Sequence, residues 1–292
     1  MSVTVSTPEA IEEPSLVRDG IDAFAGNRVA LVGLAFVVVL VVVAVFLPWI
    51  SPHDPYRVAL DEQFLPPSWT FWLGTDNFGR DVLTRILYGA RISLLVGTVP
   101  SLISLVLGAA MGILSGYIGG KTDAIIMRIA DMMIAFPSLL LAMVVMYTLG
   151  ANLLNIFIAL ALVGWASVAR VVRSQTLALK GKEFIEAARA NGTSRITIML
   201  KHIFPNVIPT LIVLFSLSIP DAIMWESSLS FLGVGVQPPE ASWGLLVAKG
   251  KEYLLQAPIV AIAPGVAILL TVLAFNFIGD GLRDALDPSM KD

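Results

Sequence analysis

Residues 180–206 read KGKEFIEAARANGTSRITIMLKHIFPN, a polar stretch between two long apolar segments. Gly181 is placed to end the preceding helix, because a left-handed C-terminal cap favours glycine. Gly192 permits a sharp turn in the middle of the stretch. Pro205 suits the first turn of the next helix, where a missing N–H group costs nothing. The stretch therefore predicts two short helices joined at a glycine turn, and we refer to it as the 180–206 loop.

The two short helices have different side-chain patterns. In the first, Lys182 and Glu186 lie four residues apart and Glu186 and Arg189 three apart, which predicts ion pairs along one face. In the second, apolar residues recur at helical spacing. They are Ile196, Met199, Leu200 and Ile203. We expect a knob that projects from a membrane; the alternative is an amphipathic loop that lies on the lipid headgroups.

Composition indicates a membrane protein without catalytic chemistry. Of the 292 residues, 57% are hydrophobic and 14% are charged, whereas soluble domains average about 25% charged residues. The chain has no cysteine, which excludes disulfides and Cys-based metal sites. Its two histidines, His53 and His202, are far apart, and neither an H-E-x-x-H nor a G-x-S-x-G motif occurs. We therefore expect no enzyme activity, no metal site and no cofactor.

Uncharged windows predict an all-α, polytopic membrane protein with six spanning helices. About 20 apolar residues cross a bilayer, and only helices or closed barrels satisfy their backbone groups in lipid. The window 132–169 is 38 residues long and is interrupted near Gly150, so we divide it into two spans. The predicted spans are 29–50, 92–110, 132–149, 156–172, 202–220 and 253–279. The uncharged window of the second span continues to residue 120, and in it Gly108, Gly112, Gly116 and Gly120 recur every four residues, a spacing that allows close helix packing in lipid.

The distribution of Lys and Arg predicts the orientation. With both termini in the cytoplasm, thirteen of the 19 basic residues lie on the inner side, as the positive-inside rule requires. The six on the outer side are Arg57, Arg80, Arg85, Arg91, Lys249 and Lys251. Trp49, Trp69, Trp72 and Trp243 would then lie at or beyond the outer interface, where aromatic belts form.

These windows also divide the chain into segments. We expect a cytoplasmic N-terminal tail over 1–28, a first transmembrane helix over 29–50 and an extracytoplasmic loop over 51–91. A core bundle of five helices over 92–279 would contain the 180–206 loop, and residues 280–292 would form a cytoplasmic C-terminal tail.

The 180–206 loop resembles the EAA loop of permeases from ATP-binding cassette (ABC) importers. The resemblance rests on the Glu-Ala-Ala run at residues 186–188, on Gly192 and on Pro205. It implies the fold of a type I importer permease and a loop that couples the membrane subunit to an ATPase. The residues that would carry this coupling are Glu183, Glu186, Ala187, Ala188, Gly192, His202 and Pro205.

Further segments are similar to the C-type permease subunit of dipeptide, oligopeptide and nickel importers. They are LGTDNFGRD at 73–81, YGAR at 88–91, SFLG at 230–233, QPP at 237–239 with Trp243-Gly244, and NFIGDGLRDALDP at 276–288. His202 and Phe204 depart from the general loop pattern, which has Ile and Leu there, but are similar to the peptide subfamily. The resemblance implies import of short di- or oligopeptides, with nickel-chelate or glutathione import as alternatives.

The same resemblance implies a set of partners. They are a second homologous permease, two ATP-binding cassette ATPase subunits, an extracytoplasmic peptide-binding protein and the lipid bilayer of a bacterial or archaeal cell membrane. ATP hydrolysis would belong to the ATPase subunits, and no nucleic acid is expected as a partner.

Asp221 and Glu226 are the ionisable residues nearest to membrane depth in the fifth span. Charges at that depth usually face a bundle interior or a wet cavity, which predicts a translocation path or a gate. The alternative is an ion pair that closes a helix bend at Pro220. An ion-coupled secondary transporter would use such carboxylates as carriers, but it would commonly show paired internal repeats, and none is visible.

Overall fold

The computed structural model describes residues 16–51 and 53–286 of the chain. The outer parts of the predicted 1–28 and 280–292 tails therefore lie outside the described residues. Within the described part the chain is helical and contains no β-strand, which confirms the all-α prediction. The helices are α1 (Leu16–Gly26), α2 (Arg28–Ile50), α3 (Val82–Ile118), α4 (Gly120–Ala135), α5 (Ser138–Leu149), α6 (Leu153–Lys180), α7 (Glu183–Ala190), α8 (Arg195–Ile198), α9 (Phe204–Phe231), α10 (Trp243–Gly250) and α11 (Ile259–Leu286).

Five helical runs in the described residues are long and apolar enough to cross a membrane. A sixth is obtained if α4 and α5, which meet at an angle of 92°, are counted together as one bent span. The predicted number of six spans agrees with this second count. The ends of several spans, however, differ from the prediction.

The second span begins ten residues before the predicted position 92. Asp81 caps α3 by accepting a hydrogen bond from the backbone N–H of Thr84 at 2.9 Å. The uncharged-window criterion stopped at Arg85 and Arg91. Both guanidinium groups have partners: Arg85 donates to the carbonyl of Pro55 at 3.0 Å, and Arg91 donates to backbone carbonyls of α2. The predicted 51–91 loop therefore ends at residue 81.

The third span is not the straight helix predicted over 132–149. Phe136 is extended at φ −82°, ψ 140° between α4 and α5, because the residue before a proline avoids the helical region. The helical part begins earlier than predicted, since two carboxylates of α4 are paired with arginines of α6. Asp123 binds Arg173 at 2.5 and 2.6 Å, and Asp131 binds Arg170 at 2.6 Å.

The fifth span is longer than the predicted 202–220. The chain is helical from Arg195 to Phe231, with a π-helical turn at Met199–Ile203 just before Pro205. Pro205 lies in the first turn of α9, as predicted, although the π-helical turn runs into α9 without a break, and Pro220 lies inside α9. The sixth span is likewise shifted from 253–279 to α11.

The glycine repeat of α3 packs against α6 of the same subunit. A Cβ atom at Gly108 would lie 2.7 Å from the carbonyl oxygen of Trp165, and one at Gly112 would lie 2.6 Å from that of Ala169. Only glycine allows this approach, as predicted for small residues in lipid. Gly120 is not part of the contact, because no atom lies within 4 Å of its Cβ position.

Candidate coupling and translocation sites

The first half of the 180–206 loop folds as helix α7, which is anchored by apolar residues on one side. Ile185 is fully buried and Ala188 is 9% exposed. They pack in one cluster with Ile113 and Tyr117 of α3 and Val172 of α6. Glu183 and Glu186 are exposed in the first turn, where the positive end of the helix dipole favours carboxylates.

The predicted turn at Gly192 is confirmed. Gly192 has φ +75°, and its N–H group donates to the carbonyl of Arg189 at 2.9 Å. Thr193 donates to the carbonyl of Ala188 at 3.1 Å, which closes the end of α7. The prediction for Gly181 was wrong in detail: it does end α6, but with φ −91°, outside the left-handed region.

The second half of the loop continues without interruption into the long helix α9. Ser194 caps α8 by accepting from the N–H of Thr197 at 3.2 Å. Ile198 and Ile203 are buried, whereas Ile196 and Leu200 are 65% and 62% exposed. The structure is helical over the predicted apolar stripe, and two of the stripe's side chains, Ile196 and Leu200, are exposed.

The predicted ion pairs of α7 are also wrong. Among the described residues, Glu186 forms no salt bridge with Lys182 or Arg189. Arg189 lies instead over the ring of Tyr117 at 5.4 Å, and Lys180 lies over the same ring at 5.7 Å. Such cation–π contacts hold the base of the loop against the end of α3.

The loop residues that were predicted to couple to an ATPase differ in their exposure to solvent. Glu183, Glu186, Ala187, Gly192 and Pro205 are exposed, whereas Ala188 is buried and His202 is half-buried. The backbone carbonyl of His202 accepts a hydrogen bond from Asn206 at 2.6 Å. The loop therefore combines a buried apolar base with an outer surface of carboxylates, small side chains and exposed apolar residues, which include Phe184 at 43% exposure.

Asp221 lies in a groove of about 350 Å³ between α3, α6 and α9. The groove, called here the Asp221 groove, is also lined by Ser101 and Ser104 of α3 and by Ser218 and Trp225 of α9. Asp221 is exposed, and none of the described ion pairs includes it. The ion pair that the bend interpretation required is therefore absent from the described residues.

Glu226 has a different environment, because its side chain is fully buried between α9 and α10. Its Oε1 atom accepts hydrogen bonds from Ser230 at 2.6 Å and Ser242 at 2.7 Å. Ser242 in turn accepts from the N–H of Leu245 and so caps α10. A Cβ atom at Gly244 would lie 2.8 Å from Oε2. Glu226 thus fixes the start of α10 against α9.

The segment 73–81 is held as an ordered loop by Asp76. The carboxylate of Asp76 binds Arg80 at 2.7 Å and accepts from the backbone N–H of Phe78 at 2.8 Å. Trp69 and Trp72 are 97% and 68% exposed nearby in sequence. The prediction that Trp243 is an interface residue was wrong, since it is 1% exposed and its indole N–H donates to the carbonyl of Ile86 at 2.9 Å.

The groove serines and Tyr117 were not predicted as functional residues. Hydroxyl groups do not break an uncharged window, and Ser101 and Ser104 are three residues apart within one. That helical spacing was the signal available in the sequence. Tyr117 carries no local signal, because its cationic neighbours come from 63 or more residues later in the chain.

Comparison with known proteins agrees with this geometry. Residues 108–292 match the family of binding-protein-dependent transport system inner membrane components, and residues 15–67 match the N-terminal transmembrane domain of oligopeptide transport permease C. The chain is 41% identical over 285 residues to the di/tripeptide transport system permease protein DppC of Pseudomonas aeruginosa, covering 96% of this chain and 94% of that protein. It is 40% identical to the oligopeptide transport system permease protein OppC of Bacillus subtilis, covering 95% and 91%.

Two further similarities extend this result. The glutathione transport system permease protein GsiD of Escherichia coli is 44% identical over 269 residues, covering 92% of this chain and 89% of that protein. A chain of the MetNI methionine ABC transporter, solved in inward-facing conformations, is 19% identical and superposes with a TM-score of 0.56, covering 70% of this chain and 96% of that chain. This last likeness shows the fold.

The matches define first a class, that of multi-pass inner-membrane transport subunits rather than enzymes. Within that class, the chain belongs to the family of inner-membrane components of binding-protein-dependent transport systems. The predicted permease fold and the predicted family are confirmed.

Proposed function

We propose that this chain is the permease subunit of an ATP-driven importer for short peptides. It forms half of the translocation path and is coupled to an ATPase through the 180–206 loop. The observation that carries this proposal is the construction of that loop. Ile185, Ile198 and Ile203 anchor it in the bundle, whereas Glu183 and Glu186 are left exposed on its outer side. A rigid, anchored loop with an exposed recognition surface is what force transfer between two subunits requires.

The proposed partners follow from the family. A binding-protein-dependent system needs an extracytoplasmic binding protein, here one for peptides, and the likeness to an ABC transporter chain supports two ATPase subunits. A second homologous permease would complete the path on the open side of the Asp221 groove. The exposed apolar residues Phe184, Ile196 and Leu200 support docking of an ATPase, since apolar side chains of this size on a loop outside the bilayer favour a protein partner.

The proposed orientation places both termini and the 180–206 loop in the cytoplasm. It is supported by the excess of Lys and Arg on that side, thirteen of the chain's 19. Residues 51–81 and α10 would then face the binding protein. In this orientation ATP-driven closure of the ATPase dimer moves α7 and α8, and the bundle alternates between inward-open and outward-open states.

The two carboxylates have different proposed roles. Asp221 faces the path, because it is exposed in a groove with no ionic partner among the described residues. Glu226 is proposed to hold α10 against α9 near the outer gate, where its bonds to Ser230 and Ser242 join the two helices. Neither role needs proton or sodium coupling. Because the chain belongs to a binding-protein-dependent family, we propose ATP-driven import in place of ion-coupled secondary transport.

Peptides are proposed as substrates because relatives that align over nearly the whole chain are named as di/tripeptide, dipeptide and oligopeptide permeases. Glutathione remains the second candidate, since a permease named for it is 44% identical to this chain. The nickel-chelate alternative is included in the same test.

The test is uptake of labelled dipeptide, glutathione and nickel by a strain that lacks this permease, with and without the restored gene. We expect dipeptide uptake to be restored, and the purified subunit to bring ATPase subunits with it. Restoration of nickel or glutathione uptake alone would overturn the peptide proposal. Purification without an ATPase, together with uptake that survives ATP depletion, would overturn the importer mechanism.

A further inference from the structure

Three of the five serine hydroxyl groups that line the Asp221 groove donate their protons to backbone carbonyls; the other two belong to Ser138 and Ser167. Ser101 donates to the carbonyl of Gly97 at 2.7 Å, and Ser104 donates across the helix interface to the carbonyl of Ala161 at 3.1 Å. Ser218 donates to the carbonyl of Phe215 at 2.9 Å. A hydroxyl group has one proton and two lone pairs. These three side chains therefore present acceptors, not donors, to anything that enters the groove.

Asp221 adds the same kind of group with a charge. It is the only ionisable residue among the described residues that line the groove, and an ionised carboxylate is an acceptor only. A carboxylate at this depth of a spanning helix is costly unless it is hydrated or paired. Trp225 lines the same groove, and the face of an indole ring also attracts cations. The charge of Asp221 and the serine lone pairs both favour a cation with several N–H donors.

We propose that the Asp221 groove binds the protonated amino terminus of a peptide during translocation. An ammonium group has three donors and no acceptor, so it complements the carboxylate and the serine lone pairs. This inference rests on the proposed peptide substrate and specifies which end of the peptide this subunit recognises. The groove has no cationic lining residue among those described, so it offers no charged partner for the peptide carboxylate.

A metal ion fits the groove less well. Magnesium and calcium take six or more oxygen ligands, commonly from several carboxylates, and nickel favours imidazole. The described residues contain no group of three or more His, Asp or Glu that could hold a metal ion. A single carboxylate surrounded by hydroxyl groups therefore suits an organic ammonium better than a divalent ion.

The size of the effect follows from the strength of one charge-assisted hydrogen bond. Replacing the carboxylate by an amide keeps the shape but removes the charge. The preference for a free over a blocked amino terminus should fall by about 10- to 150-fold. Asp221→Glu keeps the charge and should keep most of the preference. Asp280→Asn removes an exposed carboxylate from α11, outside the groove, and is the matched control.

The experiment uses the assembled transporter in lipid nanodiscs without the binding protein, so that only the permease selects. A diazirine-bearing dipeptide with a free amino terminus is compared with its N-acetylated form by photolabelling of this subunit, at equal yield of complex for each variant. We expect the free dipeptide to label the α9 region preferentially in the wild type, Asp221→Glu and Asp280→Asn, and the preference to vanish in Asp221→Asn.

Three results would overturn the inference. They are no labelling of this subunit by either peptide, equal labelling of the wild type by both, and an unchanged preference in Asp221→Asn. Dipeptide uptake by cells is measured in parallel. If uptake is normal while the labelling preference is absent, only the amino-terminal recognition fails; if uptake itself is absent, the proposed peptide importer fails.

Discussion

Substitution of Gly192 tests whether the 180–206 loop must keep its shape. The residue has φ +75°, and no atom lies within 4 Å of the position that a Cβ atom would occupy. A side chain therefore meets no steric obstacle, and any cost comes from the backbone alone. Gly192→Ala should destabilise the turn by about 1–2 kcal/mol, whereas Gly192→Asn should cost less because asparagine tolerates the left-handed region.

Proline at the same position should be far worse. Its ring fixes φ near −65°, and it removes the N–H group that donates to the carbonyl of Arg189 at 2.9 Å. The combined cost is about 3 kcal/mol or more. The expected order of uptake is therefore glycine, asparagine, alanine and then proline, with proline abolishing transport.

The assay measures dipeptide uptake, the amount of membrane-inserted subunit and the amount of co-purified ATPase for each variant. Insertion should be unchanged throughout, because Gly192 is exposed and lies outside the membrane-spanning helices in the proposed topology. Co-purified ATPase should fall in the same order as uptake. Normal uptake and normal ATPase recovery in Gly192→Pro would refute the reasoning, since the loop could then not act through a fixed geometry.

Further substitutions test the remaining interpretations. Glu186→Lys should abolish uptake without affecting insertion, because it reverses a charge on the exposed side of α7; retained ATPase binding would contradict this. A single cysteine in place of Arg189 should react with an impermeant thiol reagent only when the inner face of the membrane is accessible. A single cysteine in place of Gln237 should react in intact cells. The reverse labelling pattern would mean that the proposed topology is inverted. Asp221→Asn should lower uptake at normal complex yield, and a lower yield with full activity per complex would make it structural. Glu226→Ala should destabilise the complex by about 2 kcal/mol or more and lower its melting temperature, because Ser230 and Ser242 lose a buried acceptor. Glu226→Gln should lower the melting temperature less.

The sequence predicted the number and type of membrane helices but not where they end. The uncharged-window criterion treats every charge as exposed to lipid, so it placed the start of the second span after Arg91. In the fold that guanidinium group donates hydrogen bonds to carbonyls of α2, and Asp123 in α4 is neutralised by Arg173 in α6. Each of these partners is at least 46 residues away in sequence. Analysis of a local sequence window cannot detect such pairs, because they form only through tertiary contacts.

In the 180–206 loop, too, a prediction that depends on one residue was correct, whereas a prediction that a tertiary contact can override was wrong. The Gly192 turn depends on the backbone freedom of one residue and was predicted correctly. The ion pairs of Glu186 were predicted from helical spacing alone and were wrong, because the ring of Tyr117 competes for Arg189. Such surface pairs are worth only about 0.2–0.5 kcal/mol, so a tertiary contact easily displaces them.

The uninterrupted helical run from Arg195 to Phe231 connects the two candidate sites mechanically. At 1.5 Å per residue, Ile198 at the base of the 180–206 loop and Asp221 in the groove are about 35 Å apart along one helix. A helix transmits a displacement of its end as a rigid body, and the bonds of Glu226 would pass it on to α10. The regular hydrogen bonding of this run changes at the π-helical turn Met199–Ile203 and at Pro209 and Pro220 inside α9. A loop movement driven by an ATPase would thus reach the groove and the proposed outer gate through a single element. We therefore propose that the carboxylates of α9 and the exposed residues of α7 act in one mechanism.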